Sequence, residues 1–551
     1  MIISKTNDGN SIYISWRENG EKKHKLIDFK NYFYVHADET IAEYKVGKYA
    51  DPRKFEYIED GSVNLQGEPL KKACVEKSFD ISTARDSFSK TYEADVPYHF
   101  RYAVDEIDEM PEYDMRKWYW DMEWQQGGEH HDCITTIVVY DNFDKAYIQW
   151  VWFPEEHEVP SLESAIAFSS EADMIDSFLD FLMLKDPDML IAWFGNKFDL
   201  PHLLKRACAL GIDPRRMSPL GHVKGISKTR DGLSFSYAEK GFGPIEQPVA
   251  GRITLSLDLA FERQWNDSQR GTLPSLSLEY VSQTLFGEGK VKKSKFEDRN
   301  EFFRRAWLED TEVYLEYALV DVELLVRIDE TNFCSEAIIS LQRLLKAPFD
   351  ACFYASHMGS IYFMRNAWWK APTGNRDVER REYDGAMIYD PTSENTQGLH
   401  LNVAAFDYAG LYPSMMIARN ISWETKSEEK TEFAVDILTP RNLKPLNSHH
   451  EPRMLYYKTD ELGLLPRAVL ELKELRNEYK RLMKEARNTN NGEYQKWYNN
   501  QMAVKRLMAS FYGIVAFQGF GWADVDLAAS ITASAREAIR LAAFKARELE
   551  Q

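Results

Sequence analysis

The sequence predicts a multidomain protein that combines α/β and α+β parts. Its 551 residues are several times the size of a usual domain, so we expect three to five domains. Residues 1–105 alternate apolar and polar side chains over short runs, which is typical of β-strands. Residues 118–327 interleave strand-like and helix-like stretches, which indicates an α/β domain.

The second half of the chain changes pattern twice. Residues 334–370 read as helical, and strand-like patterning resumes at Tyr383. Residues 464–487 and 493–512 again read as helices, and the turn-forming residues 488–492 separate them. The sequence therefore predicts a helical hairpin in this region.

Composition is that of a globular protein without membrane attachment. Hydrophobic residues make up 44% of the chain and aromatic residues 13%, yet no apolar run approaches the roughly eighteen residues of a membrane span. The first residues lack a secretory signal pattern, and the five cysteines have neither pairing nor metal-binding spacing. We expect the cytoplasm, or the host cytoplasm if the chain is viral.

The charge distribution matters more than the net charge of −19, which by itself argues against nucleic acid. Residues 467–506 contain ten Lys or Arg against five Asp or Glu, and residues 290–295 form a second basic stretch. Such runs are usually solvated faces when nothing else supports binding. An acidic total also fits carboxylates that hold metal ions.

Carboxylates occur at three places in the α/β region. Asp121 and Glu123 lie two residues apart on a strand, so both side chains point to one face. Asp199 follows a strand and precedes a helix, at the carboxyl edge of the sheet. Tyr317 and Asp321 are four residues apart on one face of a helix. Each feature taken singly is more often structural.

In chain order these features resemble the three motifs of DEDDy 3′-5′ exonucleases. The resemblance implies an RNase H-like domain with two Mg²⁺ or Mn²⁺ ions, which activate water and stabilise the leaving oxygen. It implies that Tyr317 orients the water and that four acids bind the metals: Asp121, Glu123, Asp199 and Asp321. The second motif usually carries Asn where this chain has Phe194. This departure concerns the positioning of the DNA strand.

Residues 405–418 begin with a strand that delivers Asp407 to a turn, after which Tyr412 is presented beside the acid. The segment resembles the first catalytic motif of family B DNA polymerases, with Gly410 where Ser is usual. The resemblance implies that Asp407 binds both metals and that the backbone at Leu411 meets the triphosphate. Tyr412 would pack under the sugar and reject a 2′-hydroxyl.

Two further segments extend this resemblance. Tyr383-Asp-Gly385-Ala386 is similar to the family's Tyr-x-Gly-Gly/Ala element, which contacts the template; by itself it is more often a turn. Residues 501–513 are similar to the family's Lys-x-x-x-Asn-Ser-x-Tyr-Gly motif. The resemblance implies contacts to nucleotide or DNA from these residues of the helical hairpin: Arg476, Lys480, Lys505, Ala509 (in place of Asn), Tyr512, which checks the nascent base pair, and Gly513.

The family's third motif, Tyr-x-Asp-Thr-Asp, has no match in these residues. Residues 457–460 precede the hairpin, and Asp524-Val-Asp526 comes too soon after it and lacks a strand context. Since a two-metal polymerase site needs a second carboxylate, we expect the N-terminal piece of a split polymerase. A second polypeptide would supply that acid and the thumb, docking on the open palm edge and on the apolar helix 531–544.

The resemblance also predicts domain limits and ligands. Expected partners are primer-template DNA, single-stranded 3′ ends, dNTPs, the second polypeptide and, as a further candidate, a sliding clamp. The expected domains are a β-rich N-terminal domain (1–105), an exonuclease domain (106–338), a helical return or linker (339–380), the first part of the palm (381–455), the fingers hairpin (456–513) and an incomplete second part of the palm (514–551).

Two other interpretations stay open. The chain could be a stand-alone 3′-5′ exonuclease whose polymerase half is only a DNA-binding platform, or a noncatalytic binding module. Retention of Asp407, Tyr412 and the hairpin cations favours the polymerase, because a platform needs cations but neither a metal acid nor a sugar gate. Five intact exonuclease positions argue against a noncatalytic module.

Overall fold

The structure is a computed structural model. It describes the chain except for residues 7–8, 49–50, 158–159, 161, 231, 268–270, 288–295, 297, 375–381, 388–400, 402, 404–406, 445, 447–448, 490–491 and 551. The basic stretch 290–295 and the residues immediately before Asp407, predicted to be a strand, therefore lie outside the described residues. So do residues 490–491, at the centre of the predicted turn.

The strands are β1 (Ile2–Lys5), β2 (Ser11–Glu18), β3 (Glu21–Asp28), β4 (Tyr32–His36), β5 (Glu43–Tyr44), β6 (Arg53–Lys54), β7 (Glu56–Ile58), β8 (Leu70–Cys74), β9 (Lys117–Trp124), β10 (Ile134–Asp141), β11 (Ala146–Trp152), β12 (Ile166–Phe168), β13 (Met189–Ala192), β14 (Ile226–Thr229), β15 (Gly232–Phe235), β16 (Ile253–Ser256), β17 (Lys426–Ser427), β18 (Phe433–Asp436) and β19 (Met454–Tyr457).

The helices are α1 (Ile81–Ala84), α2 (Tyr98–Glu106), α3 (Glu171–Lys185), α4 (Asp199–Ala209), α5 (Leu257–Asp267), α6 (Leu278–Phe286), α7 (Arg299–Glu309), α8 (Thr311–Asn332), α9 (Cys334–Leu345), α10 (Ala355–Asn366), α11 (Leu411–Ala418), α12 (Leu464–Thr489), α13 (Tyr494–Val515) and α14 (Val525–Glu550). None of the helices that the structure describes is both long and apolar enough to cross a membrane.

The chain forms two compact units, each built from two segments. The first unit comprises residues 1–29 and 106–353, and the second comprises residues 30–105 and 354–551. Both units mix strands and helices, and the strands β1–β8 make the N-terminal region rich in β-structure. The predicted fold class is therefore confirmed, whereas the predicted domain limits remain predictions.

The first unit is built on a six-stranded sheet in the order β12-β11-β10-β9-β13-β16. Strand β9 runs antiparallel to β10 and parallel to β13, which is itself parallel to β16. Every residue of β13 and β16 is buried, as expected for parallel strands covered on both faces. The unit also contains the antiparallel sheet β1-β2-β3 and the hairpin β14-β15.

The two faces of β9 pack against different helices. Trp118 and Trp120 both pack against Phe178 of α3, with ring centroids 6.3 Å apart in each pair. Tyr119 points to the other face, where its hydroxyl donates a 2.7 Å hydrogen bond to Asp329 of α8. Since side chains alternate along a strand, residues 121 and 123 share the face that meets α8.

Helices fill most of the stretch 334–370, as the sequence predicts, but the stretch is not one continuous helix. Helix α9 ends at Leu345, Lys346 adopts a left-handed φ of 53°, and Pro348 follows. Proline lacks the backbone N–H that a continuing helix needs and restricts the residue before it. A short 3-10 helix, Phe349–Cys352, then precedes α10.

The second unit contains the sheets β4-β8-β7 and β17-β19-β18 and a helical part. Helices α12 and α13 pack along each other, which confirms the predicted hairpin. Helix α10 also packs on α13, where Gly359 leaves no room for a side chain because a Cβ atom would lie 2.1 Å from Ile514 Cδ1.

Helix α14 differs from the expectation of an exposed docking helix. Ile531, Ala533 and Ala535 are at most 1% exposed, because this half of α14 is covered by its own unit. Leu541, in the second half, is 63% exposed. The buried half cannot be a docking surface.

Candidate active sites

Three carboxylates converge in the first unit. Asp121 and Glu123 of β9 and Asp321 of α8 each offer an oxygen atom, and these atoms lie within 4.8 Å of one another. Asp321 is buried, and the other two are half-buried. Carboxylates this close repel each other unless protons or a cation offset their charge. An all-oxygen set of ligands suits Mg²⁺ or Mn²⁺, so these residues fit a divalent cation.

The backbone at Glu123 is fixed by a buried hydrogen-bond chain. Thr135 Oγ1 donates to the Glu123 carbonyl oxygen at 3.0 Å and lies 2.7 Å from the Tyr314 hydroxyl. Burial raises the pKa of Tyr314, and the negative charge of Glu123 raises it further. Sequence reasoning missed Tyr314, although it lies one helical turn before Tyr317 on α8.

Tyr317 lies where the sequence predicted, one turn before Asp321 on α8. Its ring is 6% exposed and packs against Phe302 and Phe303 of α7, with centroids 5.4 and 5.5 Å away. The ring is therefore held in place on the helix face that carries Asp321.

Asp199 is the first residue of α4 and is buried, but it is not one of the three clustered carboxylates. The turn before it has an unusual backbone. Phe194 has a left-handed φ of 55°, and a Cβ on Gly195 would lie 2.5 Å from the Ala192 Cβ. A non-glycine residue in such a conformation costs roughly 1–3 kcal/mol and persists only where its surroundings impose it.

Two buried side chains brace this turn. Asp258 Oδ1, at the start of α5, accepts a 2.9 Å hydrogen bond from the Phe194 N–H. Burial raises the pKa of Asp258 to about 6. The Asn196 amide donates to the carbonyl oxygens of Gly243 (3.2 Å) and Glu246 (2.8 Å). Asn196 is therefore engaged within the protein, and sequence reasoning missed Asp258 altogether.

In the second unit Asp407 is exposed and lies just before α11. Among the described residues it belongs to no group of three potential metal ligands. Gly410, which precedes the first residue of α11, has a φ of 67°. Glycine adopts this left-handed conformation without the strain that a Cβ causes.

The structure brings three motif tyrosines together. The rings of Tyr412 and Tyr512 lie 4.3 Å apart between centroids, and the hydroxyls of Tyr383 and Tyr512 lie 3.4 Å apart. Burial raises the pKa of Tyr512, and its hydrogen bond to Tyr383 raises it further. Tyr383 and Tyr512 are 129 residues apart in the sequence. The tertiary fold therefore brings these side chains together.

Cations of the hairpin gather beside one another. Arg476 Nε donates to Gln501 Oε1 across the hairpin at 3.3 Å. Burial lowers the pKa of Lys480, and the positive charges of Arg476, Lys484 and Lys505 lower it further. Such crowding of like charges is relieved when a polyanion binds. Lys505, Ala509 and Gly513 are exposed.

The Tyr383–Ala386 element is not a strand, contrary to the expectation that strands resume there. Helix α14 holds it instead. The buried guanidinium of Arg536 donates to the carbonyl oxygens of Asp384 and Gly385, both at 2.6 Å. It also donates to those of Ile437 (3.0 Å) and Thr439 (2.7 Å). Sequence reasoning missed the role of Arg536, a buried cation on α14.

Asp524 and Asp526 do not form a strand-borne pair. Asp524 Oδ1 accepts hydrogen bonds from the backbone N–H groups of Asp526 (2.9 Å) and Leu527 (3.2 Å), and thereby caps α14. The expectation that this pair is not the third motif therefore agrees with the structure.

Two family models match the chain. Residues 118–246 match the model described as DNA polymerase family B, exonuclease domain, and residues 357–546 match DNA polymerase family B. The first match includes Asp121, Glu123 and Asp199. It ends before Asp321, which the fold nevertheless brings to Asp121 and Glu123.

Archaeal DNA polymerases are similar along nearly the whole chain. The DNA polymerase of Pyrococcus glycovorans is 27% identical over 578 residues, which cover 99% of this chain and 68% of that protein. DNA polymerase 1 of Pyrococcus abyssi is 26% identical with the same coverage. The solved structure of the family B DNA polymerase from Pyrobaculum calidifontis has the same fold (TM-score 0.69, 19% identity, 99% of this chain and 71% of that one).

Proposed function

Since this chain belongs to family B of the DNA polymerases and carries the exonuclease domain of that family, we propose a division of labour between its units. The first unit removes nucleotides from DNA 3′ ends. The second unit adds deoxynucleotides to a primer when a further carboxylate completes its site. Proposed ligands are primer-template DNA, single-stranded 3′ ends and dNTPs.

One observation carries the exonuclease proposal: the carboxylate oxygens of Asp121, Glu123 and Asp321 lie within 4.8 Å of one another. Two bound Mg²⁺ or Mn²⁺ ions would supply an activated water and charge stabilisation for phosphodiester hydrolysis. The three acids bind these cations, and Asp199 at the start of α4 provides a fourth carboxylate. Tyr317, held by Phe302 and Phe303, orients the attacking water.

Nucleotide selection in the second unit rests on the tyrosine contacts and the hairpin cations. Arg476, Lys480 and Lys505 neutralise the triphosphate, since their mutual repulsion favours an anion between them. Tyr412 excludes a 2′-hydroxyl, and Tyr512 beside it senses the base pair. The Tyr383 element, anchored by Arg536, lies against the template.

Asp407 needs a second carboxylate, which we propose comes from another polypeptide that carries the rest of the palm and the thumb. A two-metal site requires at least two such acids, and the Tyr-x-Asp-Thr-Asp motif does not occur in these 551 residues. The chain spans about two thirds of the relatives that it matches. A continuation of the same chain would supply the same chemistry. A sliding clamp is a further proposed partner.

The test is a gel assay of the purified chain with Mg²⁺ and a 5′-labelled primer-template, with and without the four dNTPs. Shortening without extension is the expected result. Extension by this chain alone would show that an acid within the 551 residues completes the palm. No shortening at all would overturn the exonuclease proposal.

A second experiment distinguishes a completing polypeptide that is a separate chain from a continuation of the same chain. An antibody against this protein should detect a band near 64.1 kDa in cells of its source if the completing residues are a separate polypeptide. A much larger band would show a continuous chain. If partner addition never yields extension, the alternative of a stand-alone exonuclease with a DNA-binding platform is favoured, because the first unit gathers its carboxylates by itself.

A further inference from the structure

The turn that carries Asp199 is held from a neighbouring strand. Phe194 in this turn has a left-handed φ, which a non-glycine residue rarely adopts, and Gly195 has no room for a Cβ atom. Strand β16 lies beside β13 in parallel register and ends at Ser256, two residues before Asp258. The chain therefore places Asp258 opposite this turn.

Asp258 contacts the strained residue, Phe194, directly. Its Oδ1 accepts the Phe194 N–H at 2.9 Å, and Asp258 is 6% exposed. Hydrogen bonds from a backbone N–H to a carboxylate are among the stronger ones in proteins. Ser256 makes a weaker contact of 3.4 Å to the Asn196 N–H. Asp258 therefore holds the N–H of Phe194 directly, whereas Asn196 and Ser256 hold the turn one or more residues further on.

Phe194 in turn sets the start of α4. Its carbonyl oxygen accepts hydrogen bonds from the N–H groups of Lys197 (2.8 Å) and Phe198 (3.0 Å). The next carbonyl, that of Gly195, accepts from the Leu200 N–H at 2.9 Å. Asp199 lies between these bonded residues, so a displaced Phe194 would displace the Asp199 backbone.

The geometry points to Asp258 as a positioning residue for Asp199, which controls how well Asp199 joins the carboxylates of Asp121, Glu123 and Asp321 in holding a divalent cation. This inference rests on the proposed exonuclease function and adds a residue to it. Asp258 acts through one hydrogen bond to a backbone N–H, and it touches neither the cation nor the DNA. An uncharged acceptor of the same shape should therefore replace it.

The experiment compares Asp258→Ala, which removes the acceptor, with Asp258→Asn, which keeps an oxygen in the same place. Asp173→Ala is the matched control, because Asp173 is an exposed acid in the first turn of another helix of the same unit. Two quantities are measured on the full chain: Mn²⁺ affinity by calorimetry, and kcat and KM for hydrolysis of a 5′-labelled single-stranded oligonucleotide.

Asp258→Ala should weaken Mn²⁺ binding and lower kcat by roughly 10-fold to 100-fold, the usual effect of losing a group that orients a metal ligand. The oligonucleotide KM should change by less than about twofold, and Asp258→Asn should stay within about threefold of the unmodified protein. Wild-type behaviour of Asp258→Ala would overturn the inference. So would an equal loss in Asp258→Asn, since charge rather than the hydrogen bond would then matter.

Two safeguards keep this test decisive. If Asp258→Ala does not fold, Asp258→Ser replaces it in the same assays with the same expectation, because the Ser hydroxyl is too short to reach the Phe194 N–H. If the unmodified chain hydrolyses no DNA, the proposed exonuclease function fails. The Mn²⁺ affinities still decide the role of Asp258 in that case. An Asp121→Ala and Glu123→Ala double variant measures the Mn²⁺ binding outside the site, which is subtracted before the Asp258 variants are compared.

Discussion

The two candidate active sites differ in how much of their chemistry the described residues assemble. In the first unit a buried strand and a buried helix face bring three carboxylates within 4.8 Å. In the second unit the cations and tyrosines are gathered, whereas Asp407 stands exposed on a segment before α11. The comparison teaches that the described residues of the first unit gather a set of possible metal ligands, whereas those of the second unit gather aromatic rings and cations without such a set.

The largest expected effect is on the assembled site. Asp121→Ala combined with Glu123→Ala should lower hydrolysis of single-stranded DNA by about a thousandfold or more, because bound metal contributes several kcal/mol of transition-state stabilisation. DNA affinity should change little, as measured by fluorescence anisotropy. Glu18→Ala with Glu21→Ala, an equal charge change on β2 and β3 of the same unit, is the control. Undiminished hydrolysis would refute the site.

Asp407→Ala tests the incomplete site. The substitution should leave hydrolysis by this chain unchanged, because Asp407 is not among the clustered carboxylates of the first unit and is proposed to act in the polymerase site. It should abolish primer extension in a preparation that contains the completing residues, since one of the two metal-binding acids is lost. Both activities can be measured on the same gel. A loss of hydrolysis would show that Asp407 contributes to the exonuclease site.

Lys505→Ala probes the cations that are already gathered. In an extension-competent preparation it should raise the apparent KM for dNTPs about tenfold, the effect of losing one charge-assisted hydrogen bond. Arg481→Ala is the control, because Arg481 lies on the same hairpin but pairs with Glu478 and Glu485. Equal steady-state KM values for the two variants would remove Lys505 from the triphosphate ligands.

Asp258 gives the first site a pH dependence of stability. Its folded pKa of about 6 lies above the ordinary 3.8, so the folded state binds this proton more tightly. The resulting stability is complete below about pH 3.8 and is lost as the pH rises through 6. Relative to the unmodified protein, Asp258→Asn should therefore gain about 1 kcal/mol of unfolding free energy between about pH 5 and about pH 7.5.

Urea unfolding of both proteins at the two pH values measures this gain, and Asp173→Asn is the control. A difference between Asp258→Asn and the unmodified protein that does not change with pH would show that Asp258 titrates as an ordinary carboxyl.

The smallest expected effect concerns Gly410. Gly410→Ala should cost about 1 kcal/mol of stability, because Ala adopts a left-handed φ poorly. Gly410→Asn should cost less, since Asn tolerates that conformation. Chemical unfolding of the three proteins gives the order. A more stable Ala variant would show that the residue before α11 is not held in the left-handed region.

Local pattern was enough to predict the strand and the helix that carry the carboxylates of the first site. The two-residue spacing of Asp121 and Glu123 places them on one face of β9, and the four-residue spacing of Tyr317 and Asp321 places them on one face of α8. The resemblance to the motifs of DEDDy 3′-5′ exonucleases then indicated that these elements meet. The resemblance also identified Tyr412 and Tyr512, which the structure brings to 4.3 Å.

Long-range contacts to backbone atoms could not be predicted in this way. Asp258 and Arg536 act on peptide groups of Phe194 and Asp384, which are 64 and 152 residues away and are not marked by any side-chain pattern. The burial of Ile531 and its neighbours was missed for a related reason. An apolar helical face looks the same in sequence whether its own unit or a partner covers it.

The buried guanidinium of Arg536 limits where this polypeptide can be divided. Through four carbonyl oxygens it ties the Tyr383 element and the residues after β18 to α14, and Arg540 adds a 2.8 Å bond to the Lys444 carbonyl oxygen. A break in the gene upstream of these two arginines would place them on a separate polypeptide. Both segments would then lack these hydrogen bonds within their own chain. Two-piece versions of this protein should therefore keep α14 through Arg540 on the same piece as the helical hairpin of α12 and α13.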